Sequence, residues 1–569
     1  MEKKWLAKPL PSREITERLC IDLQIGEPLA VLLAQRGIES FEQARHFFRP
    51  QPEFMHDPFL MKDMDKAVER LKKAIDNREK ILIYGDYDVD GTTSVALVYL
   101  FLQKIHPFTE YYIPDRFREG YGISAAGISH AEKNNFSLII SLDCGIRSAE
   151  LVKQAKDKGI DFIICDHHQP GETLPPATAV LDPKRPDCGY PYKELSGCGV
   201  GFKLCQAYSG KYGLSPGNLL DMLDLVCVSI ACDIVEVTGE NRVLSFLGLR
   251  KLNSNPRPGL GVLLEKAFEK YPKSSYDISD IVFYLGPRIN AAGRMEHGSG
   301  AVDLLIEPQE EKARVFADRL HITNNSRKEA EQQVTREAED ILSAAPGFEQ
   351  RRSTVVYSPE WNKGVIGIVA ARLVEKFYRP TVVLTLTDGK VTGSARSVSG
   401  FDIHAAIEEC SSLLMQFGGH THAAGLTMRE DQVDAFSAAF EEAVKRNIRP
   451  ESLYPVLEYD LELDIRSITP VFVKKMLQLA PFGPGNMNPV FLSRRVQDTG
   501  MVKSYGEHLS MNFFVPGGVL GAMAFFQERH LNAVKQGKVF DICYHIEISG
   551  FNGKEKPQLR ILDMKPSDT

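Results

Sequence analysis

The chain has 569 residues, 43% hydrophobic and 25% charged, with a formal net charge of -7 at pH 7. Length and composition describe a folded globular protein of about two to four domains and exclude a disordered one. The acidic balance excludes a protein that coats duplex DNA through bulk electrostatics, so any nucleic-acid contact must be local.

At the N-terminus, MEKKWLAKPLPSREITERL interrupts any apolar signal with charges, Pro9 and Pro11. No stretch reaches the roughly 18 to 20 apolar residues of a spanning helix. A cytoplasmic protein with no membrane segment is expected. The ten cysteines are scattered without a CxxC pair, which reads Cys144, Cys165, Cys198 and Cys227 as buried reduced thiols.

Residues 1–75 read as a helical lead-in, from the cap-like Ser12 through Ile21 and again from Met64 to Ile75, with no evident chemistry. From Lys80 the pattern turns to short apolar runs, ILIY (81–84), SLII (137–140), DFIIC (161–165) and TAVLD (178–182), separated by helix-like stretches. That spacing predicts parallel βα units over 76–245. The first run leads into Asp86, Asp88, Asp90 and Gly91, then a helix opening with Thr92 and Thr93. An EF-hand loop would need a glutamate where Leu97 stands, and would lie between helices.

Asp143 follows the second run; Asp166, His167 and His168 follow the third; Asp233 follows LVCVSIAC. One carboxylate at a strand end is more often a cap or turn former. Four such strand-end stations in one lobe would repel each other in a dry crevice, and a cation is the natural compensation. Oxygen donors with imidazole and no thiolate suit Mn²⁺ or Mg²⁺, and the number of ligands allows two ions.

Between the first and second stations of this first lobe, IPDRFREGYG (113–122) interleaves Arg116, Arg118 and Tyr121, suited to gripping phosphate and stacking a base, or simply to an amphipathic surface. Residues 246–345 read as helical. They carry LGPRINAAGRM (285–295), with Arg288, Asn290 and Arg294, before a stretch from Gln309 to Ala345 that lacks Gly and Pro. That stretch predicts a long solvated helix joining two lobes and leaving a cleft.

A second α/β lobe is expected over 346–450. In it, GSARS (393–397) places Ser394 and Arg396 on a turn as a small anion pocket, and QFGGHTHAAGL (416–426) offers His420 beside glycines. Residues 454–569 alternate short strands with FGPGN, VPGG and FNGKEK, which favours a small β-barrel. Lys503, His508, Lys554 and Lys556 are its candidate DNA contacts, and Phe513, Phe514, Phe525 and Phe526 are either contacts or core.

Taken in order, DYDVDG, SLDCG, DHH and ACD resemble the DHH phosphoesterase superfamily over residues 80–240. QFGGHTHAAGL is similar to the GGHxxAaG motif of the DHH-associated domain. LGPRINAAGRM and LAPFGPGNMNPVF (479–491) are similar to stretches of the superfamily's single-strand exonuclease branch, so the resemblance spans residues 60–565.

The resemblance implies an α/β fold: a parallel-sheet DHH domain, a long connecting helix, a second α/β DHH-associated domain and a C-terminal OB-like β-barrel. It implies Asp88, Asp90, Asp143, His167 and Asp233 as ligands of two Mn²⁺ or Mg²⁺ ions, with Asp86 beside them. His168 would face metal or phosphate, or orient a ligand. The guanidinium groups of Arg288 and Arg294 would neutralise the scissile phosphate, with Asn290 a further substrate-binding residue, and Arg116 and Tyr121 would line a strand channel that excludes duplex. Ser394 and Arg396 would hold a 5′ phosphate, to which His420 also donates.

The implied activity is 5′ to 3′ hydrolysis of single-stranded DNA to 5′ mononucleotides, in recombination and repair. The catalytic set would be Asp88, Asp90, Asp143, His167, His168 and Arg288. Implied partners are single-stranded DNA, a single-strand-binding protein and a helicase, with the enzyme a monomer. Two other readings are a phosphodiesterase of short oligoribonucleotides or cyclic dinucleotides, against which the third domain counts, and a non-catalytic replication scaffold, against which the complete ligand set counts.

Overall fold

The computed structural model describes residues 3–215, 217–551 and 554–567. Its chain divides into two compact units: Ala7–His321 with Tyr459–Thr569, and Met1–Leu6 with Ile322–Glu458.

The first unit is built on a five-stranded parallel sheet of β1 (Ile81–Gly85), β2 (Thr109–Tyr112), β3 (Leu138–Leu142), β4 (Asp161–Cys165) and β5 (Ala179–Leu181), in the order β2-β1-β3-β4-β5. Every residue of β1 and β3 is buried, as covering both faces of a parallel sheet requires. The strand order reverses between β1 and β3, so their carboxyl ends flank the switch point where open α/β sheets bind ligands.

Helix α1 (Val89–Gln103) leaves β1 and is buried on nearly all sides. Its Thr92 and Thr93 hydroxyls are satisfied by donating to the carbonyls of Asp88 and Val89, at 2.6 Å each. Helices α2 (Gly197–Tyr212) and α3 (Leu223–Cys232) pack against α1 in the same apolar core. A π-helical turn, Ile281–Leu285, leads into α4 (Gly286–Met295).

The predicted connector is a single helix, α5 (Glu310–Ala344), of 35 residues. Its prediction as a solvated helix needs correction. Ala313, Ala317 and Leu320 are buried in the first unit's core, and Asn324, Arg327, Glu331, Val334, Ala338 and Leu342 are buried further along. These positions recur at steps of three and four, which is one helical face.

In the second unit, β6 (Thr354–Tyr357), β7 (Thr381–Thr387), β8 (Lys390–Arg396), β9 (Gln416–His420) and β10 (Ala423–Met428) form a sheet of order β9-β10-β8-β7-β6. Only β6 and β7 are parallel. Ser394 and Arg396 therefore lie on a strand; the reversal that was expected to hold them is displaced to Asp388 and Gly389, both with positive φ.

The C-terminal domain is a mostly antiparallel sheet of seven strands, β11 (Leu461–Glu462), β12 (Phe491–Val496), β13 (Lys503–Tyr505), β14 (His508–Val515), β15 (Gly518–Ala524), β16 (Phe540–Phe551) and β17 (Lys554–Pro566). Its core also contains residues from the N-terminal helices Arg13–Leu23, Glu27–Ala34 and Phe41–Phe48. Ser12 caps the first of these through the Ile15 N–H; the third opens on a capping box of Ser40 and Gln43, a local signal the sequence reading passed over.

Of the four phenylalanines, Phe513 is core, whereas Phe514 and Phe526 are 69% and 68% exposed. Phe525 lies under the Arg560 guanidinium, 5.1 Å from its centroid. In the FNGKEK turn, Asn552, Gly553 and the Lys554 side chain lie outside the described residues. All ten cysteines are unpaired, and Cys144, Cys165, Cys198 and Cys227 are buried. Among the described residues no helix is long and apolar enough to cross a membrane.

Candidate metal centre

The carboxyl ends of β1, β3 and β4 bring the sequence-predicted ligands together. Asp86 follows β1 and is fully buried, with one oxygen 3.4 Å from the Gly122 amide and the other without a hydrogen-bond partner. Asp88 caps α1, accepting from the Gly91 N–H at 3.0 Å. Asp90 lies in the first turn of α1. It accepts from the amides of Gly197 (2.7 Å) and Cys198 (2.8 Å) at the start of α2, and from the Ser229 hydroxyl of α3 (2.6 Å). Gly197 has no Cβ because one would stand 2.6 Å from that of Asp143.

Asp143 follows β3 with φ at 58°, a conformation that costs free energy in a non-glycine residue and aims its carboxylate inward. Its Oδ1 is buried and has no hydrogen-bond partner. After β4, His167 Nε2 lies 3.2 Å from Asp143 Oδ1, 3.4 Å from Asp233 Oδ2 and 3.7 Å from Asp90 Oδ2. Neither ring nitrogen of His167 has a hydrogen-bond partner. Two groups of donor atoms result, Asp90 with His167 and Asp233, and Asp143 with His167 and His168, each within 4.8 Å of one another.

Asp233 is a correction to the strand-end reading. It caps the C-terminus of helix α3, because LVCVSIAC is a buried helix rather than a strand.

Asp166 is a residue the sequence reading left without a role. It accepts from the amides of Ile146, His167 and His168, and its Oδ1 is 2.8 Å from His168 Nδ1. Ser229 and the α2 amides were missed as well; the only local signals were a lone hydroxyl in an apolar run and the SGCGVG stretch at 196–201. Asp182, at the tip of β5, is also buried, with one unpartnered oxygen.

The electrostatics follow from burial and crowding. Burial first, and then neighbouring carboxylates, push Asp86 and Asp143 well above the usual carboxylate range. The same causes raise Asp233 to about 9. Burial would raise Asp166 too, but the His168 hydrogen bond and charge hold it at about 2. Burial opposes the charge on His168, yet Asp166 raises it to about 9. Buried hard oxygen donors, orphaned acceptor atoms and an unpartnered imidazole are the donor set a divalent cation requires, so the residues fit Mn²⁺ or Mg²⁺.

Around this centre, the Tyr121 hydroxyl donates to the Asp143 carbonyl at 3.0 Å and lies 3.3 Å from His168 Nε2. Arg288 is buried and donates to the Tyr284 carbonyl at 2.7 Å. Asn290 and Arg294 lie on the same helix, α4. In the other unit, Ser394 and Arg396 share β8, with Arg396 Nη1 donating to Ser394 Oγ at 3.0 Å. Ala423 on β10 pairs with Arg396 on one side and His420 on the other, so these two residues occupy one row across three strands.

Comparison with known proteins agrees with this architecture. Residues 80–230 match the model of the DHH family, N-terminal domain; 352–446 match the DHHA1 domain; and 459–563 match the RecJ OB domain. The single-stranded-DNA-specific exonuclease RecJ of Bacillus subtilis is 36% identical over 562 residues, covering 98% of this chain and 70% of that protein. Its namesake in Escherichia coli is 32% identical, covering 98% and 99%. The crystal structure of Thermus thermophilus RecJ with Mn²⁺ superposes with a TM-score of 0.83 at 25% identity, covering 100% of this chain and 80% of that one.

Proposed function

The chain belongs to the RecJ family of single-stranded-DNA-specific exonucleases, and from that premise we propose how its own residues carry out the reaction. It is a metal-dependent phosphodiesterase of single-stranded DNA that uses Mn²⁺ or Mg²⁺, a role that fits recombination and repair. The observation carrying the proposal is the unpartnered His167 imidazole within 3.7 Å of carboxylate oxygens from Asp90, Asp143 and Asp233.

Asp88, Asp90, Asp143, His167 and Asp233 would hold two ions, with Asp86 beside them. When bound, the ions supply Lewis-acid polarisation of the phosphate and acidify water. The α2 amides and Ser229 hold Asp90 in one orientation, and Asp166 fixes the direction of the His168 ring. The Arg288 and Arg294 guanidinium groups neutralise the scissile phosphate and the Asn290 amide contacts the substrate, while Arg116 and Tyr121 guide the strand. Ser394, Arg396 and His420 hold the terminal 5′ phosphate and so set a 5′ to 3′ polarity, releasing one 5′ mononucleotide per cycle. Family membership supports a cytoplasmic monomer working with a single-strand-binding protein and a helicase.

The test is Asp143→Ala. Release of label from a 5′-labelled single strand in Mn²⁺ is expected to fall at least about a thousandfold, while binding of that strand, read by fluorescence anisotropy in chelator, is retained. Full Mn²⁺-dependent activity in the variant would refute the ligand assignment.

A further inference from the structure

Tyr87 stands between two of the candidate ligands, yet nothing in the reaction described above uses it. Its ring is half-buried against the core of the first lobe. The Arg116 guanidinium carbon lies over its face, 5.0 Å from the centroid, and the Tyr121 ring meets it edge-on at 6.4 Å. On a third side α4 approaches: a Cβ on Gly293 would stand 2.8 Å from the Tyr87 carbonyl oxygen and 3.2 Å from the Tyr87 Cβ. Tyr87 is thus where the ligand loop, the segment 113–122 and α4 converge.

The Arg116 side chain is the informative partner. Among the described residues no hydrogen bond or salt bridge engages its guanidinium; the Tyr87 ring is what holds it. A long cationic side chain seated on a ring face, with no hydrogen-bond partner, keeps its donors free for an incoming anion. Burial and Asp88 raise the Asp86 carboxyl, and the Arg116 charge opposes that rise in small part.

We propose that Tyr87 is a positioning residue whose ring holds Arg116 in place beside the metal centre, ready for a phosphate of the DNA backbone. The inference rests on the reading of Arg116 as a DNA contact. It adds that the aromatic face, not the hydroxyl, does the positioning. Losing the ring should therefore weaken substrate binding as losing Arg116 does, with chemistry at the ions little changed.

The experiment measures steady-state hydrolysis of a 5′-phosphorylated single strand across a salt series for Tyr87→Leu, Tyr87→Phe, Arg116→Ala and the Tyr87→Leu/Arg116→Ala double variant. Arg116→Ala and Tyr87→Leu should each raise KM about tenfold, lower the salt slope by about one and leave kcat within about twofold. The double variant should be no worse than Arg116→Ala alone, and Tyr87→Phe should recover most of the binding lost in Tyr87→Leu. A Mn²⁺-induced rise in melting temperature checks that the ligand loop is intact; if Leu prevents folding, Tyr87→Met serves instead. Additive losses in the double variant, a fall confined to kcat, or failure of Phe to recover binding would each overturn the positioning role. A silent Arg116→Ala would remove the DNA contact on which the inference rests, without touching the Asp143 result.

Discussion

Among single residues, the decisive feature is the cost accepted at Asp143. A non-glycine residue at φ 58° with an unpartnered buried carboxylate oxygen is unfavourable in isolation and needs a compensating ligand. The residues that orient ligands show the same logic at smaller scale. Ser229 contributes one hydroxyl to Asp90 from a helix otherwise devoted to packing. Ser229→Ala should leave the metal-free protein folded but weaken Mn²⁺ binding by about 10- to 100-fold, measured by calorimetric titration. Unchanged affinity would mean that the Gly197 and Cys198 amides suffice to orient Asp90.

Among elements, α5 shows how one helix can look polar in sequence and still have an inward face. Arg327 and Glu331 are 7% and 8% exposed and pair at 2.8 Å, with Arg372 reaching the other oxygen of Glu331 at 3.2 Å. Breaking a buried pair from one side leaves a desolvated charge behind, whereas replacing both partners does not. Glu331→Leu, which leaves the buried Arg327 guanidinium without its carboxylate, is expected to destabilise the second unit by about 3 kcal/mol in denaturant unfolding, and Arg327→Met/Glu331→Leu to recover most of that loss. A single variant as stable as the parent would contradict this. The strand β8 makes a related point: Ser394 and Arg396, two apart on an extended chain, point to the same face, a spacing that a turn would not guarantee.

For the whole molecule, the first unit joins the N-terminal helices to the C-terminal domain. Leu19, Leu29, Leu32 and Leu33 share a core with Phe491, Phe513 and Tyr544. Arg242 ties the parallel-sheet lobe to the C-terminal domain, donating to the carbonyls of Leu479, Ala480 and Pro481 and to that of Phe47. A chain ending at Glu458 should therefore lose order in its first fifty residues as well. Limited trypsin digestion is expected to cut at Arg13, Arg18 and Arg36 at least about tenfold faster than in the full chain, because the burial that protects the N-terminal helices is gone. Equal protection would show that these helices fold without the C-terminal domain.

What the sequence alone determined was local: the Asp86 to Gly91 run from strand end into helix, the His167 and His168 pair, the capped helices and the alternation of strands all rest on neighbours a few residues apart. LVCVSIAC was ambiguous because a buried helix and a buried strand are equally apolar, and Phe513 and Phe514 are chemically identical until a sheet assigns them opposite faces. The tertiary structure alone decided that amides 107 and 108 residues away hold Asp90, and that Ser229 joins them. It also decided that three acidic residues, from one strand end and two helix ends, surround His167. Such contacts leave no periodic trace, since they depend on which chain segments the parallel sheet and its packed helices bring to one edge.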